Sequence, residues 1–247
     1  MIATLPMYDR PETQAANDRF WALIHAYLPD APELLTRDGY HWLDPDLVLS
    51  QTCSLPYRTG LQDSVLIIAT PVHNLDCTAG YYFSVVLVRA SDHRTDITDF
   101  SGAQLAINGP VSQSGWAAID ALAKDAGVRF STIIETGSHQ ESARAVAEGR
   151  ADICAVDAVT WTMIERWDAF ASDLRILCQT SPTPALPYIT AMGHDPRPLQ
   201  EALVNAVGSL TPEDQDLLCL IDVTHIPSDQ YSNMSIPPAP VTTLSPN

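Results

Sequence analysis

Leu105-Ala106-Ile107-Asn108-Gly109-Pro110-Val111-Ser112-Gln113-Ser114-Gly115 is a short apolar run that feeds a Gly-Pro turn and then a Ser-x-Ser-Gly helix start. Ser131-Thr132-Ile133-Ile134-Glu135-Thr136-Gly137-Ser138-His139 repeats the plan, a β-prone run breaking at Gly before a hydroxyl-led helix. A helix start presents backbone N–H groups without intrahelical partners and about +0.5 of an elementary charge. Two such ends facing one cleft would bind an oxyanion without arginine or lysine.

Both stretches belong to a longer alternation. A strand over 104–107 leads to a helix with Trp116, Ile119, Leu122 and Ala123 at helical spacing. A strand over 131–134 leads to a helix with Ala143, Val146 and Ala147, closed by Gly149. A third strand, 152–156, precedes a helix carrying Trp161 and Ile164, and a strand over 174–178 follows. Such βαβ alternation implies an α/β fold, with parallel sheet and helices on both faces. Upstream lie a first strand over 2–7, an amphipathic helix within 12–28 and a strand over 47–50. Apolar runs at 64–69 and 82–89 read as buried strands. Downstream, a Pro-rich link at 182–187 precedes a strand over 189–192 and helices near 198–209 and 212–220.

At 247 residues the chain has room for two domains or one large one, with 46% hydrophobic and 17% charged residues. Its net charge of −17, from 30 acidic and 13 basic side chains, argues against nucleic acid and against anionic membrane surfaces. A small anionic ligand stays compatible, because screening confines distant carboxylates to about 8–10 Å. Lys124 is the sole lysine, in a solvated Ala-Lys-Asp-Ala-Gly context, which disfavours Schiff-base and pyridoxal-phosphate chemistry. The cysteines show no metal-ligand spacing, so neither metal nor cofactor is expected. Cys53 and Cys77 fall in loop-like segments; one disulfide between them, or two thiols, are the alternatives. No run reaches the roughly 20 apolar residues of a membrane span. The first residues carry no basic region and lead into a strand, reading as cytoplasmic in the absence of a signal peptide.

The order of these segments resembles the phosphonate/phosphate substrate-binding family of ABC transporters, with its type-2 periplasmic-binding fold. Four segments carry the resemblance: Gly80-Tyr81-Tyr82-Phe83-Ser84-Val85-Val86-Leu87-Val88, 109–115, Gly137-Ser138-His139 with 143–147, and Gly149-Arg150-Ala151-Asp152-Ile153. The resemblance spans roughly residues 1–225. It implies two α/β lobes joined by two crossovers, here 88–91 and 180–186. A discontinuous lobe of 1–89 and 183–247 would flank an inserted lobe of 90–182, with a Pro/Ser/Thr-rich tail from about 235 to 247. It also implies a cleft that closes on a small anionic solute, a permease partner, a monomeric protein and no chemistry, with periplasmic residence if export is provided. Ser112, Gln113 and Ser114, with the Gly115 N–H, would grip the phosphonate or phosphate group. His139 and Tyr82 would touch the ligand. Where phosphonate binders commonly have Ser-Thr-Ser, this chain has Ser112-Gln113-Ser114; the position of an acidic amine-holding residue falls near Val159, which cannot serve.

Each residue also has a local role to weigh. Ser112, Ser114 and Ser138 are favoured helix caps, and Ser138-His139-Gln140-Glu141 is a capping-box pattern. Asp157 can cap its helix or accept from a ligand hydroxyl or amine. Tyr8 and Thr52 lie past strand ends of the first lobe, the edge where ligands bind in open α/β sheets. The order Ser114, His139, Asp157 also admits a hydrolase reading, but no G-x-S-x-G elbow accompanies it. Two rival functions use the same fold: a cytosolic small-molecule sensor, and an enzyme on a small precursor.

Overall fold

The protein is described by a computed structural model covering residues 1–244. Its chain divides into two compact units, unit 1 (1–81 and 184–234) and unit 2 (82–183 and 235 onward). In unit 1 the chain forms β1 (Ile2–Ala3), α1 (Gln14–His25), β2 (Leu47–Gln51) and β3 (Val65–His73). After the crossing at Tyr81–Tyr82 come β4 (Ser84–Arg89) and β5 (Gln104–Ile107), then a wide helical turn, Gln113–Ala117, running into α2 (Ala118–Asp125). Next are β6 (Thr132–Glu135), α3 (His139–Ala147), β7 (Ile153–Asp157), α4 (Ala158–Trp167) and β8 (Leu174–Gln179). The chain returns through Thr183–Pro184 to β9 (Tyr188–Ala191), α5 (Pro196–Gly208), α6 (Pro212–Leu218), β10 (Leu220–Thr224) and α7 (Ser228–Ser232). A third crossing leads to β11 (Thr242–Leu244).

Unit 1 holds a five-stranded sheet in the order β1-β2-β9-β3-β10. α1 packs its buried Phe20, Trp21 and Ile24 with Leu203, Ala206 and Val207 of α5 over Val48, Leu49 and Ile68. The periodicity that makes α1 amphipathic therefore supplies one wall of the core. Unit 2 holds a six-stranded sheet in the order β11-β6-β5-β7-β4-β8. Its β5, β6 and β7 are parallel and fully buried residues such as Leu105, Ala106 and Ile153 to Val156 fill its centre. In each unit the first strand after a crossing lies antiparallel between two others: β4 between β7 and β8, β9 between β2 and β3.

Several expected boundaries move. The stretch 88–91 is no crossover, because Val88 is fully buried inside β4, opposite Ile153. The lobe boundaries 1–89, 90–182 and 183–247 accordingly give way to the division above, with β4 in unit 2. The segment from 235 belongs to unit 2 as well: β11 extends the sheet parallel to β6, and the Trp116 indole Nε1 donates to the Pro238 carbonyl at 3.1 Å. The end of the expected tail, 245–247, lies outside the described residues. The expected helix over 212–220 stops at Leu218, since Cys219 turns into the left-handed region at φ 50° and β10 begins. No disulfide forms among the described cysteines. Cys77 instead turns its thiol to the Tyr81 carbonyl at 3.1 Å, and Cys53 stands at the start of a short helical turn. No helix among the described residues is long and apolar enough to cross a membrane.

Candidate functional site

The parallel run of β5, β6 and β7 brings three strand ends, and the helix starts after them, to one edge of the unit 2 sheet. The start of β4 joins the same edge, because Ser84 pairs with Asp157. Each strand–helix join has its own device. Asn108 to Ser112 form the turn after β5. Gly137, at φ +89°, makes the break after β6 that an L side chain would resist. At the end of β7 the Asp157 side chain starts α4 directly.

Sequence-predicted residues divide between capping and open positions. Ser112 Oγ accepts the Gly115 N–H at 3.0 Å, and Ser138 Oγ accepts the Glu141 N–H at 3.1 Å. Both serines are caps. The Ser138 capping box is half made, because the Glu141 carboxylate turns to Arg144 at 3.1 Å. The N–H groups of Gln113, Ser114, His139 and Gln140 precede the first intrahelical bonds and have no acceptor among the described residues. They are the open donors of the two helix starts.

Ser114 and His139 are joined. Ser114 Oγ lies 2.8 Å from His139 Nε2, and Asp157 Oδ2 lies 3.5 Å from the same nitrogen. Burial of the imidazole pushes its pKa below the ordinary histidine value, against the opposing pull of the Asp157 carboxylate. The ring is thus neutral at pH 7. The Asp157 carboxylate and the Ala155 carbonyl both only accept, so each favours an N–H on the ring, and the neutral ring has one to give. The Ser114 hydroxyl accepts from Nε2–H in one tautomer and donates to Nε2 in the other, and in both it is held beside the ring. A nucleophilic relay would need Asp157 on Nδ1 and Ser114 on Nε2. Here both meet Nε2, and the hydrolase geometry is not made.

Asp157 is 3% exposed and acts as a cap: Oδ1 accepts the Thr160 N–H at 2.9 Å and Oδ2 accepts the Thr160 hydroxyl. Tyr82 is buried where the chain enters unit 2. Tyr8 and Thr52 belong to unit 1. The Tyr8 ring meets His73 edge-on at 5.7 Å, beside Asn17, Gln51 and Tyr188 in a small pocket. Thr52 is fully buried and its hydroxyl donates to the Cys53 carbonyl at 3.2 Å.

Two residues of this edge escaped the sequence reading. Ser84 Oγ donates to the Ser114 carbonyl at 3.0 Å, fixing the helix start from β4. Its place two residues after Tyr82 was the available signal. Asn108 packs its amide against Gly115: a Cβ on Gly115 would stand 1.9 Å from Asn108 Oδ1 and 3.1 Å from His139 Cε1. The glycine of Ser-x-Ser-Gly is therefore a steric requirement as well as the source of an N–H.

Paired α/β units, each with a strand inserted antiparallel after a crossing, define the class of two-lobed solute-binding proteins. The chain belongs to the family described as "ABC transporter, phosphonate, periplasmic substrate-binding protein", whose model matches residues 48–228. No curated protein sequence matches it. Among solved structures it is similar to a binding-protein component of an ABC phosphonate transporter from Pseudomonas aeruginosa, at 14% identity and TM-score 0.73, covering 94% of this chain and 82% of that one. It is also similar to PhnD1 from Prochlorococcus marinus in complex with methylphosphonate, at 16% identity and TM-score 0.70, with 94% of each chain covered. A histidine kinase sensor domain resembling periplasmic binding proteins matches at 15% identity and TM-score 0.59, covering 90% of this chain and 97% of that one. At these identities the likeness is one of fold.

Proposed function

We propose that this protein binds a small phosphonate- or phosphate-like oxyanion at the strand-end edge of unit 2 and presents it to an ABC permease. The observation that carries the reading is the pairing of open N–H groups on two helix starts with a Ser114 hydroxyl held by His139. Charge-assisted hydrogen bonds contribute roughly 1.5–3 kcal/mol each. Three or four of them, less ordering costs, reach the roughly −8 kcal/mol of a micromolar site. Ser114, Gln113, His139 and the Gly115 segment are the contacts, with Ser112 and Ser138 holding the helix starts in place. Tyr82 is a proposed contact for the organic part of the ligand, and Asp157 for a ligand donor once its Thr160 bonds are met. A small solute carried without covalent change accounts for the missing relay geometry. Isothermal calorimetry with methylphosphonate, phosphate and sulfate tests this. Micromolar or tighter binding of a phosphorus oxyanion is expected, and absence of binding by all three anions would overturn it.

A further inference from the structure

The edge that holds Ser114 and His139 also holds two side-chain amide oxygens with nothing to accept. Asn108 Oδ1 and Gln113 Oε1 are buried atoms without a donor among the described residues, and Gln113 as a whole is 3% exposed. The place of Asn108 is fixed by Gly115, since the point 1.9 Å from Asn108 Oδ1 is also 3.1 Å from the His139 ring. The amide oxygen thus lies beside the imidazole that holds Ser114. Gln113 is the first residue of the helix start, and its own backbone N–H is one of the open donors. A buried acceptor without a donor weakens the fold. Two of them at one donor-rich edge call for a ligand that donates as well as accepts.

A fully ionised phosphonate offers only acceptors, and two amide oxygens would repel it. Its singly protonated form offers oxygens to the N–H groups and one P–OH to an amide oxygen. Charge points the same way. Asp157, at the end of β7, lies 3.5 Å from His139 Nε2, and Glu135, at the end of β6, has Oε1 4.0 Å from where a Gly109 Cβ would stand and Oε2 accepting from the Thr242 hydroxyl at 3.4 Å. Arg89, on β4, is committed to Asp152 at the opposite edge of the sheet, where Val88 pairs with Ile153. A second negative charge on the ligand would meet carboxylates and neutral dipoles.

We propose that Asn108 and Gln113 form an acceptor pair that makes the site select an oxyanion carrying one P–OH over its dianion. The proposal rests on the oxyanion reading above and adds the protonation state that is bound.

Calorimetry on the full chain between about pH 6 and pH 9 tests it, with two probes. Methylphosphonate titrates in this range and has no donor on its methyl group. Methanesulfonate has similar shape and a fixed single charge, but no hydroxyl. It therefore reports any titration of His139, Asp157 or Glu135 themselves. Methylphosphonate affinity is expected to fall by up to about tenfold per pH unit above its second ionisation, following the singly protonated fraction. Methanesulfonate is expected to bind at least about tenfold more weakly at low pH, with a flat profile. Asn108→Leu and Gln113→Leu, which keep bulk and lose the acceptor, should shrink the gap between the probes to about threefold or less. Should those variants fail to fold, the two wild-type profiles still decide. Methylphosphonate affinity that is constant or rises with pH, or equal binding of both probes, overturns the selection and leaves the oxyanion reading standing. No binding of either probe or of phosphate at any pH overturns both.

Discussion

Gly115→Ala isolates the packing on which the site depends. The glycine is buried and its φ is not positive, so alanine is allowed by the backbone. In an unobstructed helix this substitution would stabilise by up to about 1 kcal/mol. Gly208, with open space around its would-be Cβ, provides that reference. At Gly115 the methyl group would stand 1.9 Å from Asn108 Oδ1, 2.9 Å from its Cγ and 3.1 Å from His139 Cε1. The amide must move by more than an ångström, and the imidazole closes one direction. Overpacking of this kind costs roughly 1–3 kcal/mol. Part of that is offset by the helix preference for alanine and part by rotation of Asn108, leaving a net loss of about 1–2 kcal/mol. At roughly 2–4 °C per kcal/mol for a chain of this size, melting falls by only a few degrees.

Affinity should suffer more than stability, because the displaced groups are those that hold Ser114. A loss of at least about tenfold, or roughly 1.4 kcal/mol, is expected for methylphosphonate. Differential scanning calorimetry and titration calorimetry on Gly115→Ala and Gly208→Ala provide the comparison. If Gly115→Ala melts higher than wild type and binds as tightly, the close approach of Asn108 and His139 to the helix start is not part of the working site.

Other substitutions separate caps from ligand groups. Ser114→Ala and His139→Ala should each weaken oxyanion binding by about 1–3 kcal/mol in titration calorimetry, on the scale of charge-assisted bonds. Ser138→Ala should instead lower stability by about 0.5–2 kcal/mol in urea unfolding, with affinity kept, because its hydroxyl serves the Glu141 N–H. Since the folded His139 has a lowered pKa, the unfolded chain binds the extra proton first; its contribution is present above about pH 6.5 and is lost as pH falls through the folded value. Unfolding curves between about pH 7 and pH 5 should therefore flatten in His139→Gln. Truncation after Met234 removes β11 and the Trp116 partner carbonyl, so melting should fall by several degrees and amide exchange in β6 should rise.

The local elements of unit 2 were legible because their signals are local. An apolar run, a Gly-containing break and a capping serine or aspartate lie within a few residues of one another, and β5 falls at 104–107 as read. Pairing is a different matter. Nothing in the run 84–89 says that it lies antiparallel between β7 and β8, since a strand buried on both faces has the same apolar pattern in either direction. The same holds for β9 between β2 and β3. The last strand, Thr242–Leu244, is three residues in a Pro-rich setting and owes its conformation to the open edge of β6. In the site, helix starts and caps could be read from serines and glycines. The Asn108–Gly115–His139 packing could not, because it joins three chain segments through tertiary contacts.

How a chain of net charge −17 can hold an anion follows from where its charges are spent. In unit 2, Arg89 and Arg94 pair with Asp152 and Asp92 beyond the far ends of β4 and β7. At the near edge the Asp157 carboxylate accepts from the Thr160 N–H and hydroxyl and lies at the positive start of α4, which offsets its charge. What remains at Ser114 is the field of two helix starts, fixed by Ser84 from one side and His139 from the other. Distant carboxylates are screened within about a Debye length, whereas these dipoles act at contact. A neutral histidine suits such a site better than a cation. It holds the Ser114 hydroxyl without drawing a second carboxylate into the edge to neutralise it. The discrimination among anions then rests on matching donors to acceptors one by one, which is why the two unspent amide oxygens of Asn108 and Gln113 bear on what the site will accept.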